Sequence, residues 1–297
     1  MRKTIFEQLK ESMSFSSEIK RLETLIHDED SIEIRTPKHS YTTALDEFDF
    51  YTNHYSLEKF CDTYSFKNWK ARGTCISCAD MRNTLQLNKI VRSDNPSIED
   101  TINYCEYVTN LLGLHDMAEL PPRAKYYDTQ TITAVESNLI SILDWLNLEA
   151  VYFEDEEMTL ITEKNAAVTA VAEIVDESLA YQIVMYNHYT LKGDIAKKKG
   201  ILVHLGNELE ASKKSLSSTN SQLNANIFFM LNNLNLRHNN VSIGDKNYKE
   251  YTGKMTEENL ENWYDELYQM MLLAFLELDQ IERNDRIGEL KSHYRQC

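Results

Sequence analysis

Only 8 glycines and 4 prolines punctuate this chain of 297 residues. Those two residue types make most tight turns and end most helices and strands, so a chain this poor in them favours long helices joined by short polar connections. The apolar pattern agrees. Between Thr256 and about Ile281, the residues Leu260, Trp263, Leu267, Met271, Ala274, Leu278 and Ile281 recur every three or four positions and build one stripe. Tyr264, Tyr268, Leu272, Phe275 and Leu276 fall on its other faces, which places this helix centrally in a bundle or against a second subunit. The expected fold is mainly α, a multi-helix bundle with one small β-hairpin near residues 149–163. There two β-branched and aromatic runs flank an acidic turn in EAVYFEDEEMTLITEKN.

Further helices are expected from Lys3 to about His27, where Ile5, Leu9, Met13, Ile19, Leu22 and Ile26 keep helical spacing, and then through the aromatic-rich stretch that ends near Gly73. Between them, DEDSIEIRTPKHS reads as an irregular break. Residues 74–92 read as one helix, stopped by the loop SDNPS. Ser97, followed three residues later by Asp100, starts the next with a capping-box pattern. The pair Pro121-Pro122 is the expected boundary, giving an N-terminal helical module at 1–122, read as regulatory or sensing, and a second bundle at 123–297 that holds the hairpin. In that bundle three helices joined by short connections precede the last one, and short connections imply antiparallel neighbours.

With 42% hydrophobic and 10% aromatic residues the chain can bury a large core, while a formal charge of -16 argues against a broad sequence-independent nucleic-acid surface. A local basic site stays possible. There is no apolar run of membrane-spanning length, and MRKTIFEQLKESM lacks the apolar centre of a signal peptide, so a cytoplasmic protein with no membrane partner is expected. Five cysteines, an odd number, fit reduced thiols. Cys75 and Cys78 have the spacing of a zinc or redox pair, but no second ligand pair accompanies them and no βαβ pattern surrounds them, so they read as buried thiols. The run Glu154 to Glu157 reads as a solvated loop. No metal or cofactor is expected.

One stretch concentrates chemistry. NNLNLRHNN, Asn232 to Asn240, follows a helix expected from Ser218 to Leu236 whose core stripe is Leu223, Ile227, Met230, Leu231 and Leu234. If the helix continues, Asn226, Asn233, Arg237 and Asn240 share a face, with His238 at the edge of the buried stripe. His238 could exchange a proton, Arg237 could stabilise charge on a phosphate, and the amides of Asn233 and Asn239 could orient the substrate. The same residues also suit helix termination, since Asn favours the left-handed C' position and cations complement the helix dipole. Lys197, Lys198 and Lys199 form the most basic segment and are the expected outer RNA contact, with a solvated helix face as the alternative.

A compact helical bundle with an Asn/Arg/His cluster at the end of an apolar helix resembles the HEPN (higher eukaryotes and prokaryotes nucleotide-binding) domain, over about residues 177–290. The resemblance implies a metal-independent endoribonuclease of a toxin-antitoxin, abortive-infection or other antiviral-defence type. It also implies a homodimer that brings two motifs together, an RNA substrate, and an antitoxin or defence partner. The family's motif sets an Arg several residues before its His. If His238 is that His, the Arg position falls on Asn232 or Asn233, and Arg237 stands beside the His instead. The resemblance therefore leaves two readings, an RNA-cleaving effector in which Arg237 supplies the charge, or a non-catalytic relative used for dimerisation, RNA binding or interaction. A second loose match, Arg286 to His293, lies in a polar tail and reads as coincidence.

Overall fold

The computed structural model describes residues 14–38 and 50–295. The expected helical positions Ile5, Leu9 and Met13, and Cys297, lie outside the described residues. The fold is mainly α, as the scarcity of Gly and Pro requires, and it divides into two compact units, Met1–Ile161 and Thr162–Cys297.

In the first unit, helix α1 (Phe15–Ile26) buries Ile19, Leu22 and Ile26. The segment read as an irregular break is instead β1 (Ile32–Pro37), the central strand of an antiparallel three-stranded sheet between β2 (Phe50–Tyr55) and β3 (Lys125–Asp128). Ile32 and Ile34 are fully buried while Glu33 and Arg35 pair on the other face, which is strand alternation. Only two apolar positions carry that signal, and they sit between acidic residues and Pro37. The strand is made by its partners: Ile32 pairs with Tyr55 on one side and with Asp128 on the other. Because β3 follows Pro121-Pro122 and joins this sheet, the proline pair lies inside the first unit, and the division falls at Ile161 and Thr162.

Helix α2 (Leu57–Tyr64) starts at the Ser56 cap. The single helix expected over 74–92 is two, α3 (Cys78–Thr84) and α4 (Leu87–Arg92), separated where Gln86 adopts φ 56°. Helix α5 (Ile98–Asp116) begins with the expected capping box, Ser97 and Asp100 each accepting the other's backbone N–H. It packs against α1 and α2. Helix α6 (Thr131–Leu146) ends at Asn147, whose φ of 56° is the left-handed stop that Asn tolerates. The hairpin then forms where expected, from β4 (Leu148–Phe153) and β5 (Met158–Glu163). Its turn is not merely solvated: Glu157 accepts from the Lys70 backbone and pairs with the Lys70 ammonium.

The second unit comprises α7 (Ala166–Ala172), α8 (Glu177–Tyr186), α9 (Ile195–Ala211), α10 (Lys213–Thr219), α11 (Ser221–Asn233), α12 (Glu250–Gly253) and α13 (Glu257–Arg295). Helices α7, α9, α10 and α11 all pack on α13, which takes the central place that the apolar pattern offered beside a subunit interface. Its buried stripe is rotated from the expected one: Tyr264, Leu267, Tyr268, Met271 and Ala274 are inside, whereas Trp263 is 43% exposed. The helix also runs well past Ile281, to Arg295. Gly206 on α9 faces Leu231 on α11, where a Cβ would lie 2.8 Å from both Leu231 methyl carbons, so any side chain at 206 would force the Leu231 side chain to shift. Among the described residues no helix is long and apolar enough to cross a membrane.

Candidate site around Arg237 and His238

Helix α11 is nucleated by Asn220, whose side chain accepts from the Leu223 N–H, and it buries Leu223, Ile227, Phe228, Met230 and Leu231. It stops two turns' reach short of Asn240. Leu234 is the C-cap, and Asn235 follows at φ 58°, the left-handed conformation that ends helices and that Asn adopts at small cost. The Arg237 N–H then turns back to the Leu231 carbonyl at 3.0 Å. The expected shared face of Asn226, Asn233, Arg237 and Asn240 is therefore not formed, because the chain leaves the helix between its second and third members.

Each polar side chain of the stretch has its own role. Asn233 donates to the Phe229 carbonyl at 2.7 Å, and its backbone carbonyl accepts the Thr252 hydroxyl at 2.7 Å. Asn240 is fully buried: its Oδ1 accepts the Asn235 N–H at 2.8 Å and its Nδ2 donates to the Asn247 carbonyl at 2.8 Å, joining both ends of the loop. Asn239 is exposed and accepts the Val241 and Ser242 N–H groups, an Asx turn. His238 is exposed and makes no hydrogen bond or ion pair with the described residues.

Arg237 is committed elsewhere. Its guanidinium donates to Glu210 Oε2 at 2.6 Å and to the Gly206 carbonyl at 2.9 Å, both on α9, and lies 5.3 Å from the Phe228 ring centre. Its Nε is buried without an acceptor. The Arg237 hydrogen bond holds the Glu210 carboxyl below the usual range despite some burial, with Lys213 adding to the effect at 3.4 Å. Lys213 also sits 4.0 Å from the Phe228 ring centre. Arg237, Lys213, Glu210 and Phe228 thus form a latch that ties the loop after α11 to α9. The role expected for Arg237, a charge stabiliser beside His238, is not what this geometry offers.

Nor do the three lysines share a surface. Successive positions on a helix point about 100° apart, and Lys197, Lys198 and Lys199 follow that rule. Lys197 is exposed and pairs with Asp194 at 3.4 Å. Lys199 is half-buried, and burial lowers its pKa. Lys198 is buried, with its ammonium 2.7 Å from both Glu261 and Asp265 and 5.2 Å from the Tyr186 ring centre. Tyr186 in turn donates to Asp265 at 2.9 Å and stacks on Tyr268 at 4.1 Å. Lys198 is a core ion pair of the second unit and cannot be an outer RNA contact.

A buried polar cluster of the first unit carries no signal in the sequence. Arg82, only 5% exposed, donates to Glu58 at 2.9 Å and to Glu23 at 2.7 Å. Tyr107 donates to Glu58 at 2.7 Å, Tyr104 to Glu23 at 2.6 Å, and His27 Nε2 lies 3.1 Å from Glu58. The Glu58 hydrogen bond raises the His27 pKa although burial opposes it; burial alone would raise that of Glu58, but His27 and Arg82 bring it below its ordinary value. Arg82 lies 24 residues from Glu58 and 59 from Glu23, so no local spacing announces the cluster. Cys61, Cys75, Cys78 and Cys105 are free and buried, as read, with the thiol of Cys105 pushed up to about 12 by desolvation alone. Among the described residues no group of three or more His, Cys, Asp or Glu is placed to hold a metal ion. No family model, curated protein or solved structure matches the chain.

Proposed function

We propose that this protein is a non-catalytic helical interaction protein, in which the NNLNLRHNN stretch ends a helix and fastens a loop instead of cleaving RNA. The observation that carries this reading is the commitment of Arg237 to Glu210 and Gly206. A phosphate transition state needs a cation free to meet developing charge, and turning Arg237 to that task would break its hydrogen bonds to Glu210 and the Gly206 carbonyl. The amides are engaged as well: Asn233 and Asn240 hold backbone, and Asn239 makes a turn.

The interaction surface we assign is the last third of α13, and its occupant is a second copy of this chain. From Glu282 to Tyr294 every residue is exposed. A free helix of that length is marginal in water and gains its stability from packing. Ile287, Leu290 and Tyr294, at spacings of three and four, are 44%, 55% and 79% exposed and form the start of a seam like that between paired helices. This is the same self-association that the HEPN resemblance implies, reached through a different part of the domain.

The two readings separate in one pair of measurements. Purified protein is incubated with total RNA in the presence of a chelator beside His238→Ala, and its mass is followed by sedimentation beside Leu290→Asp. The expected result is no cyclic-phosphate product from either RNA incubation, and a dimer that Leu290→Asp converts to monomer. Cleavage abolished by His238→Ala would restore the ribonuclease reading, and a monomer at every concentration would remove the assigned interface.

A further inference from the structure

We propose that the first unit carries a binding site for the phosphate group of a small ligand, in the groove along α3 and α4. A cavity of about 650 Å3 opens there, lined by Arg82, Asn83, Gln86, Asn88, Lys89 and Arg92 among others. Three of its lining side chains are cationic and none is a carboxylate, in a chain whose formal charge is -16. Lys89 and Arg92 are exposed, and neither makes an ion pair with the described residues. A cation left unpaired in so acidic a protein is worth a question, and here two of them face one cavity.

The amides give the groove its polarity. Arg82 can only donate, and its Nη2 lies 3.1 Å from the Asn88 side-chain oxygen, so Asn88 must present its carbonyl to Arg82. Its NH2 then points to the Asn83 carbonyl oxygen, 3.2 Å away. The Asn83 NH2 is left as the outermost donor of this relay. Arg82 itself is locked by Glu23 and Glu58, so the direction of every amide in the chain is set from the buried end. The groove therefore offers an NH2, an ammonium and a guanidinium, all donors, which suits an acceptor-only anion with several oxygens.

The backbone supports the same reading. Gln86, at φ 56°, sits between α3 and α4 in a conformation that a non-glycine residue adopts only under local compulsion. That kink separates the two short helices and sets Asn83 and Lys89 on the lip of one cavity. No aromatic side chain is among its lining residues, so no platform for base stacking is present, and a ligand would be recognised through its phosphate. Two unpaired cations, Lys89 and Arg92, beside an Arg82 already neutralised by Glu23 and Glu58, suit a compact anion better than a long polymer whose phosphates must be met repeatedly.

The test is calorimetric titration of the full chain at low salt with pyrophosphate, ADP, adenosine and a long single-stranded RNA. Each is run on the natural protein, on Lys89→Ala/Arg92→Ala, and on Asn83→Asp, with circular dichroism confirming that the variants fold. Pyrophosphate and ADP are expected to bind alike and adenosine not at all. Each cationic hydrogen bond removed should weaken binding by roughly tenfold or more, Asn83→Asp should weaken it by replacing a donor with a like charge, and added salt should weaken it in the natural protein. Absence of binding at about 10 mM pyrophosphate, a range that includes weak millimolar sites, would overturn the proposal. So would equal binding by the folded variants, adenosine binding as well as ADP, or binding confined to the long RNA.

Discussion

Replacing Lys198 by Met separates a structural lysine from an RNA-binding one. The methionine keeps most of the buried stem and removes only the ammonium, which is 2.7 Å from Glu261 and 2.7 Å from Asp265. Hydrogen bonds to charged groups contribute roughly 1.5–3 kcal/mol each, but the two carboxylates do not respond equally. Asp265 is 48% exposed, so water replaces much of what it loses, whereas Glu261 is 18% exposed and is left with only the Gly193 N–H at 2.8 Å. Most of the loss therefore sits on Glu261, and the expected destabilisation is about 2–3 kcal/mol, which shifts a melting transition by roughly 5–10 °C in a unit of this size. Urea unfolding followed by far-UV circular dichroism reads it directly.

The pH dependence is part of the same prediction. Burial works against the charged form of Lys198, but its hydrogen bonds to Asp265 and Glu261 outweigh that and raise its pKa above 10.5. Its stabilisation is complete below 10.5 and is lost as pH rises through the higher folded value. Burial raises Glu261, but the bonds it accepts from Lys198 and the Gly193 N–H, together with the charges of Lys198 and Lys192, outweigh this and bring it below 4.5, so its contribution is complete above 4.5 and is lost as pH falls through the lower folded value. The gap between natural protein and Lys198→Met should be flat between the two limits and close toward acid. A folded variant within about 0.5 kcal/mol of the natural protein would refute the reasoning, and if it had also lost RNA binding the lysine would return to the surface role first expected of it.

Asn240→Asp should cost about 2–4 kcal/mol in thermal unfolding, because it buries a charge and sets an acceptor oxygen against the Asn247 carbonyl in place of the Asn240 NH2 donor, while nearly conserving shape; a neutral effect would mean the loop is not held by that amide. Ser97→Ala should cost about 1 kcal/mol by opening the capping box of α5, with faster hydrogen exchange at the Asp100 amide as the local signature. Arg82→Leu should leave the buried Glu58 and the half-buried Glu23 without their shared cation and destabilise the first unit by about 3 kcal/mol. In the natural protein the His27–Glu58 pair contributes fully only above 4.5, where Glu58 is charged, and below 6.5, where His27 is charged; its stabilisation fades as pH rises through the raised His27 value. A natural-protein stability curve with no His27-dependent loss as pH rises above 6.5, judged against His27→Ala, would contradict the pair's role.

The sequence alone determined whatever depends on spacing along one element. Few Gly and Pro residues and apolar steps of three and four made the chain mainly helical, marked α13 as a helix apolar on several faces, and located the Ser97 cap and the hairpin, because each is a relation between residues a turn or a strand apart. The tertiary structure decided what depends on distant partners. Strand β1 exists because Tyr55 and Asp128 lie on its two sides, and two buried isoleucines among charges are too little to declare it. Arg237 and Lys198 look in sequence like cations free to meet phosphate. Whether a cation is free is settled by which carboxylates fold beside it, and Glu210, Glu261 and Asp265 are separated from them by 27 to 67 residues. Conversely Lys89 and Arg92 carried no motif, and only the fold, by giving them no ion-pair partner among the described residues and setting them beside the amide relay from buried Arg82, sets them apart. Charge is written in the sequence, but its neutralisation is not.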